Sequence, residues 1–107
     1  MTYITRAASF DGVSVAANGS LSSREVSGVT ARRVRLMVTS AGADVSVALE
    51  ASPNNGGDWL ELSSTSGGAT GAQAVEEMPG LLLRMTASNA NDTNSQNVTA
   101  YLLLDRD

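Results

Sequence analysis

The chain has 107 residues, 42% of them hydrophobic, a net charge of −4, and neither histidine nor cysteine. Disulfides, thiolate or imidazole metal sites and serine–histidine catalysis are therefore excluded. The acidic balance, with a pI near 4.6, argues against nucleic acid as a partner. No apolar run approaches the roughly 20 residues that span a bilayer, so no membrane partner is predicted. A chain of this length predicts one small domain over residues 1–107.

The N-terminal part of the chain carries the weakest patterns. Residues 1–10 show no clear alternation and are interpreted as an extended N-terminal arm of the domain. Two short strands are predicted after it, at Val13–Ala17 and Arg24–Val29, each from a brief run of alternating residues.

Four later segments alternate apolar and polar residues with a period of two, which is typical of strands with one buried face. The apolar positions predicted to share one core are Val34, Leu36, Val38, Val45, Val47, Leu49, Leu83, Leu102 and Leu104. Leu81 is assigned to the same face as Leu83. The opposite faces also carry apolar side chains, namely Met37, Ala48, Leu82, Tyr101 and Leu103. This second apolar face predicts contact with a subunit or another protein, unless a second sheet of the same sandwich covers it.

Turn-forming residues separate the alternating segments, in clusters at residues 41–44, 53–57, 66–68 and 89–97. Turn signals spaced about ten residues apart are typical of an all-β sandwich or barrel. We therefore predict an antiparallel β-sandwich or jelly roll of about seven to eight strands. Ser63–Gln73 is predicted to be a mobile loop, and residues 69–78 are assigned an edge strand in preference to a short helix.

The only tryptophan follows a turn that contains Pro53, which has no amide hydrogen and ends the preceding strand. Asn55 and Gly56 can both adopt positive φ, so the chain is expected to reverse within a few residues. Trp59 is interpreted as a plug at the end of the core. The alternatives are a partly exposed anchor for a protein partner and a stacking platform for sugar.

Two groups of polar residues were considered as chemical sites. Glu50 and Glu61 flank the turn and are predicted to lie across from each other in a hairpin. They are interpreted as two solvated acids of the outer face, with Arg33, Arg35 or Arg84 as pairing partners, rather than as a glycosidase pair. The loop Asn89–Asn97 is rich in oxygen ligands but has one carboxylate, Asp92, and is interpreted as an ordinary loop rather than a calcium site. No catalytic, metal-binding or cofactor-binding residue is predicted, and no enzymatic activity is expected.

Arginines supply all seven positive charges, and Arg32, Arg33 and Arg35 form the only basic cluster. A solvated strand face is one interpretation of this cluster. The other is that guanidinium groups on the second apolar face pair with carboxylates of a neighbouring subunit, such as Asp105. The residues predicted to contact a partner are Trp59, Arg33, Arg35, Arg84, Met37, Tyr101 and Leu103.

The segment VALEASPNNGGDWLEL resembles a hairpin found in small β-sandwich virion proteins of tailed bacteriophages, which reads strand, Glu-x-Ser-x-Asp-Gly-Gly, Trp, strand. The later segment GLLLRMTASNANDTNS is similar to the strand that follows this hairpin there. Together the two segments extend the resemblance over roughly Val34 to Leu104, and SFDGVSVAANGSLSSREV fits as a leading strand pair. Asn55 departs from the pattern, in which Asp is commonest, and this weakens any expectation of a metal at the turn.

The resemblance implies a non-enzymatic structural protein of the virion, most specifically a capsid decoration (cement) protein on the outer shell. It implies the major capsid protein or other virion proteins as partners, and a homo-oligomer, with a trimer favoured. The protein would be made in the host cytoplasm and carried on the capsid surface. The alternatives are a tail or head-fibre module, or a carbohydrate-binding β-sandwich that uses Trp59 and Tyr101 as platforms.

Overall fold

A computed structural model describes residues 3–28, 31–65, 67–68, 72–77 and 82–106. Regular structure in these residues is entirely β-strand, and they include no helix long and apolar enough to cross a bilayer. The strands are β1 (Tyr3–Val15), β2 (Ser20–Ser22), β3 (Val26–Ser27), β4 (Ala31–Ala41), β5 (Val45–Ser52), β6 (Leu60–Thr65), β7 (Ala72–Glu77), β8 (Leu82–Asn89) and β9 (Gln96–Arg106).

The strands form two antiparallel sheets. The four-stranded sheet has the order β1-β9-β4-β7, and the five-stranded sheet has the order β2-β8-β5-β6, with β3 also paired to β8. Because β2 and β3 border the same neighbour, they share one strand position, which leaves eight positions in the order of a jelly roll. The predicted antiparallel β-sandwich or jelly roll is therefore confirmed.

The core lies between the two sheets and is built from every second residue of the central strands. All nine residues predicted to share a core are fully buried in one cluster. Leu81 lies outside the described residues. The apolar residues of the opposite strand faces are half-buried and lie on the outer faces of the two sheets, namely Met37, Ala48, Leu82, Tyr101 and Leu103. A second sheet therefore does not cover them.

The predicted N-terminal arm is wrong from Tyr3 to Phe10, because these residues belong to β1 and pair with β9. Register shifts between Arg6 and Ala8 and between Phe10 and Val13 interrupt the strand, and Gly12 between the latter two has a φ of 59°. An extra residue moves the following side chains to the other face, so the period-two pattern is lost from the sequence. The core residues that β1 contributes were missed for this reason, and they are Ala8, Phe10 and Val15.

The predicted loop at Ser63–Gln73 is shorter than expected. Strand β6 continues to Thr65 and β7 begins at Ala72, while residues 66 and 69–71 lie outside the described part of the chain. A strand rather than a helix follows this loop, as predicted, since β7 pairs with β4 along its length.

We expect Leu102→Ala to destabilise the fold by about 2–5 kcal/mol, the usual range for a large-to-small change in a core. Leu102 is fully buried in β9, between β1 and β4. Leu60→Ala is the matched control, since Leu60 is 58% exposed and its loss should change stability by less than about 1 kcal/mol. Urea denaturation followed by circular dichroism measures both, and equal losses would contradict the assignment of the core.

Candidate binding surfaces

The seven residues predicted to contact a partner lie on two opposite surfaces of the sandwich. On the outer face of the four-stranded sheet, strands β4 and β9 contribute Arg33, Arg35, Met37, Tyr101 and Leu103, which alternate with buried core residues. Trp59 and Arg84 lie on the five-stranded side instead. The sandwich core separates the two groups, so they do not form one continuous interface. Trp59 and Tyr101, the two platforms of the carbohydrate-binding alternative, therefore lie on opposite surfaces.

The group on β4 and β9, which we name the β4–β9 face, is contiguous. Arg35 lies opposite Leu103 in the strand register, and Met37 lies opposite Tyr101. All four side chains are half-buried. Residues directly opposite each other in an antiparallel pair have neighbouring side chains, so these four form one patch of mixed apolar and cationic character.

Strand β1 extends the β4–β9 face with two residues that sequence reasoning missed. Ile4 is 55% exposed and lies opposite Asp105 in the register. Arg6 lies opposite Leu103, and its guanidinium carbon is 5.7 Å from the centroid of the Tyr101 ring. These contacts were missed because the bulged β1 was interpreted as an arm.

The guanidinium of Arg35 is paired within the chain. Its Nε donates to Oδ1 of Asp105 and its Nη2 donates to Oδ2, both at 2.9 Å. These hydrogen bonds raise the pKa of Arg35 and lower the pKa of Asp105, although the burial of Asp105 opposes the latter shift. Asp105 is only 5% exposed, so it is not available to a neighbouring subunit in the way the sequence suggested. A cavity of about 210 Å³ beside the pair is lined by Arg32, Arg33, Arg35 and Asp105.

On the opposite surface, Trp59 is half-buried and belongs neither to the core cluster nor to the residues packed against it. Its interpretation as a core plug is therefore wrong. The ring instead packs against Arg84, whose guanidinium carbon lies 4.0 Å from the ring centroid. This distance is within the range of a cation–π interaction.

Arg84 and Thr86 both bind one carboxylate oxygen of Glu50. Arg84 Nε donates to Oε1 of Glu50 at 2.8 Å, and Thr86 Oγ1 donates to the same oxygen at 2.5 Å. Since the Thr86 hydrogen is used, Ser22 Oγ must donate to Thr86 Oγ1, at 3.0 Å. Glu61 lies opposite Glu50 in the register, so the predicted placement of the two acids is confirmed, as is the pairing of Glu50 with an arginine.

The turn before Trp59 is held by its own side chains. Ser52 Oγ accepts a hydrogen bond from the Gly56 amide at 2.6 Å, and Asn54 Oδ1 accepts one from the Asp58 amide at 2.7 Å. Asn55 and Gly56 have φ values of 65° and 96°, as the sequence predicted. This network fixes the point at which the chain returns toward β6, and with it the position of Trp59.

The loop between β8 and β9 is also organised by amide side chains. Asn89 is buried, and its Nδ2 donates to the carbonyl oxygens of Val15 and Asn94, both at 3.0 Å. Asn91 Oδ1 accepts hydrogen bonds from the amides of Thr93 and Asn94. The amide side chains of Asn89 and Asn91 therefore form hydrogen bonds that stabilise the conformation of the loop. Three or more carboxylates do not gather into a metal-binding group anywhere in the described ranges.

The chain was compared with known families, curated proteins and solved structures. No family model and no curated protein matches it. The SPBc2 prophage-derived protein YomS matches with a TM-score of 0.67 and 16% identity, over 98% of this chain and 95% of that one. PliG of Aeromonas hydrophila, a periplasmic inhibitor of g-type lysozyme, matches with a TM-score of 0.62 and 7% identity, over 98% of this chain and 86% of that one. CBM29_1 of Piromyces equi, a family 29 carbohydrate-binding module, matches with a TM-score of 0.57 and 7% identity, over 100% of this chain and 91% of that one. At these identities the likeness is one of fold.

We expect Trp59→Ala to destabilise the protein by roughly 1–2 kcal/mol, because the change removes a cation–π contact and partial burial but no core packing. Trp59→Phe keeps an aromatic ring against Arg84 and should lose less. Thermal unfolding followed by far-UV circular dichroism measures both variants. A loss of about 3 kcal/mol or more would restore the core-plug interpretation.

Asp105→Asn is expected to lower the melting temperature near neutral pH and to have little effect in acid. The pKa of Asp105 is lower in the folded protein, so its carboxylate stabilises the fold above the ordinary value of about 4, and this contribution is lost as the pH falls further. The difference from wild type should therefore shrink below about pH 4. Asp92→Asn, in the exposed loop after β8, is the control. A pH-independent difference for Asp105→Asn would contradict this role.

Proposed function

We propose that the protein is a non-enzymatic structural component of a tailed-phage virion, and specifically a capsid decoration protein that docks through the β4–β9 face. The observation that carries the proposal is that predicted contact residues from separate parts of the sequence lie together on one surface. Of the seven residues predicted to contact a partner, five come from two strands distant in sequence and become neighbours on one outer face.

The composition of the β4–β9 face supports docking to a protein. Tyrosine, methionine and arginine are enriched at protein interfaces, and tyrosine and arginine dominate their energetic centres. Tyr101 and Met37 are side by side here, with Arg33 nearby and the exposed Ile4 extending the apolar area. Since the strands already bury their inner faces in the core, the outer apolar side chains contribute little to folding and are available to a partner.

The structural comparisons are consistent with a binding role on this fold. YomS is described as a prophage-derived protein, and its fold matches nearly the whole of both chains. The descriptions of PliG and CBM29_1 name an inhibitor and a binding module. A tail or head-fibre module is the alternative position in the particle, and a homo-oligomer such as a trimer remains part of the proposal.

The ion pairs within the chain limit which residues would form contacts between subunits. Arg35 and Arg84 already bind Asp105 and Glu50 of the same chain, so contacts between subunits would not need these pairs. In this proposal the apolar residues of the β4–β9 face provide most of the binding energy. The surrounding arginines orient an acidic partner, since charged groups at the rim act mainly on association rate and register.

The proposal predicts that Leu103→Glu weakens binding to capsids at least tenfold, because a carboxylate in the centre of a buried patch costs more than about 1.4 kcal/mol. Co-sedimentation with purified empty capsids measures the affinity. Ser46→Glu is the matched control, since Ser46 is an outer-face residue of β5 on the other sheet.

Three outcomes would contradict the capsid proposal. Wild-type protein that never sediments with capsids would remove it. Equal binding by Leu103→Glu and wild type would remove the β4–β9 face as the docking surface. Binding to purified tails but not to empty capsids would support the tail module instead.

A further inference from the structure

The outer face of the five-stranded sheet carries a polar side-chain cluster that docking through the β4–β9 face does not use. We infer that Glu50, Arg84, Thr86 and Glu61, beside the ring of Trp59, form a binding site for an extended saccharide. The ligand class follows from how these groups are held and from which of their hydrogen-bonding atoms remain available.

Glu50 is fixed before any ligand arrives. Its Oε1 accepts from both Arg84 and Thr86, and Ser22 in turn holds the Thr86 hydroxyl. Its Oε2 accepts no hydrogen bond from any residue that the structure describes. The side chains of Glu50 and Arg84 are 18% and 23% exposed, so they are shielded from bulk water and still reachable. A carboxylate held in this way loses little rotamer freedom when it binds a ligand.

Arg84 supplies donors next to that acceptor. Its Nε is used on Glu50, while its two terminal nitrogens make no hydrogen bond within the described ranges. Adjacent hydroxyls of a sugar both donate and accept, so one can donate to a carboxylate oxygen while the next accepts from a guanidinium nitrogen. Trp59 lies against the same guanidinium and helps to fix its position beside Glu50.

Hydroxyl side chains continue this polar surface across the sheet. Strand register places three serines in one row across β2, β8 and β5, and the next row, across β2, β8, β5 and β6, holds three hydroxyl side chains and one alanine. The first row is Ser20, Ser88 and Ser46, and the second is Ser22, Thr86, Ala48 and Ser64. A surface of this length fits a chain of sugar units rather than a single one.

The charges of the Glu50–Arg84 pair, which balance each other, favour a neutral polyhydroxyl ligand over a cationic one at that pair. Arg84 already balances the charge of Glu50 and already occupies a cation–π position at Trp59. A lysine or arginine of a partner would therefore compete with an internal cation for both groups. A saccharide needs no net charge at the pair, and its hydroxyls can also donate to the exposed carboxylate of Glu61.

A glycan array probed with labelled wild-type protein tests the inference, followed by titration of the strongest array ligand. Trp59 is the only tryptophan, so its fluorescence reports directly on this site. We expect a change in Trp59 emission on binding, and Glu50→Gln should weaken binding roughly tenfold or more, as expected for loss of a charged hydrogen-bond acceptor. Glu61→Gln is the second variant, because Glu61 is exposed and its side chain makes no hydrogen bond with the described residues, so its substitution should not disturb folding.

Leu103→Glu, on the opposite sheet, is the control and should bind the glycan as wild type does. Absence of binding to every glycan on the array would overturn the inference. Binding that survives both Glu50→Gln and Glu61→Gln, or that leaves Trp59 emission unchanged, would place the sugar elsewhere and overturn it equally. The assay contains no capsid, so its failure would leave the proposed docking function standing, and failure of capsid binding would leave the sugar site standing.

Discussion

Each strand of a two-sheet sandwich can bury only every second side chain, and the rest of this structure depends on that constraint. The buried half of β4, β5, β8 and β9 is almost entirely valine, leucine, alanine and methionine, and it forms one core cluster. The other half faces outward on two surfaces. Those surfaces differ in chemistry, since one carries apolar side chains among arginines and the other carries hydroxyls around an ion pair.

The alternation made much of the fold predictable from sequence. In β4, Val34, Leu36 and Val38 alternate with polar or half-buried residues without interruption, so both the strand and its inner face were predicted. Only the end of β1 was predicted, by the strand at Val13–Ala17, because two register shifts interrupt the alternation of the residues before it. Strand β2, with three residues, is too short to show a period, and the strand predicted at Arg24–Val29 is observed only as the two residues of β3.

The candidate sites were less predictable, because a pattern assigns a residue to a face of its strand but not to a place in the sheet. Arg35 and Asp105 are 70 residues apart in sequence and meet only because β4 and β9 are neighbours. The same strand order places Trp59 and Tyr101 on opposite surfaces, which no sequence pattern indicated. Trp59 itself was assigned to the core since large aromatics usually are buried, and its contact with Arg84 depends on a turn held by side chains of that turn.

The two internal ion pairs have a common consequence for recognition. Each fixes an arginine that would otherwise sample many rotamers, and each belongs to a surface proposed to bind a ligand or a protein. A partly buried pair contributes little net stability because desolvation offsets its attraction, but removing one partner leaves an unpaired charge. Orientation of neighbouring side chains is therefore the more reasonable role for Arg35 and Arg84.

Since the sandwich core separates the two pairs, and they share no partner, the free-energy changes caused by substitutions at one surface should add to those at the other without coupling. The two proposed binding surfaces can therefore be changed independently, while the core that supports both is kept.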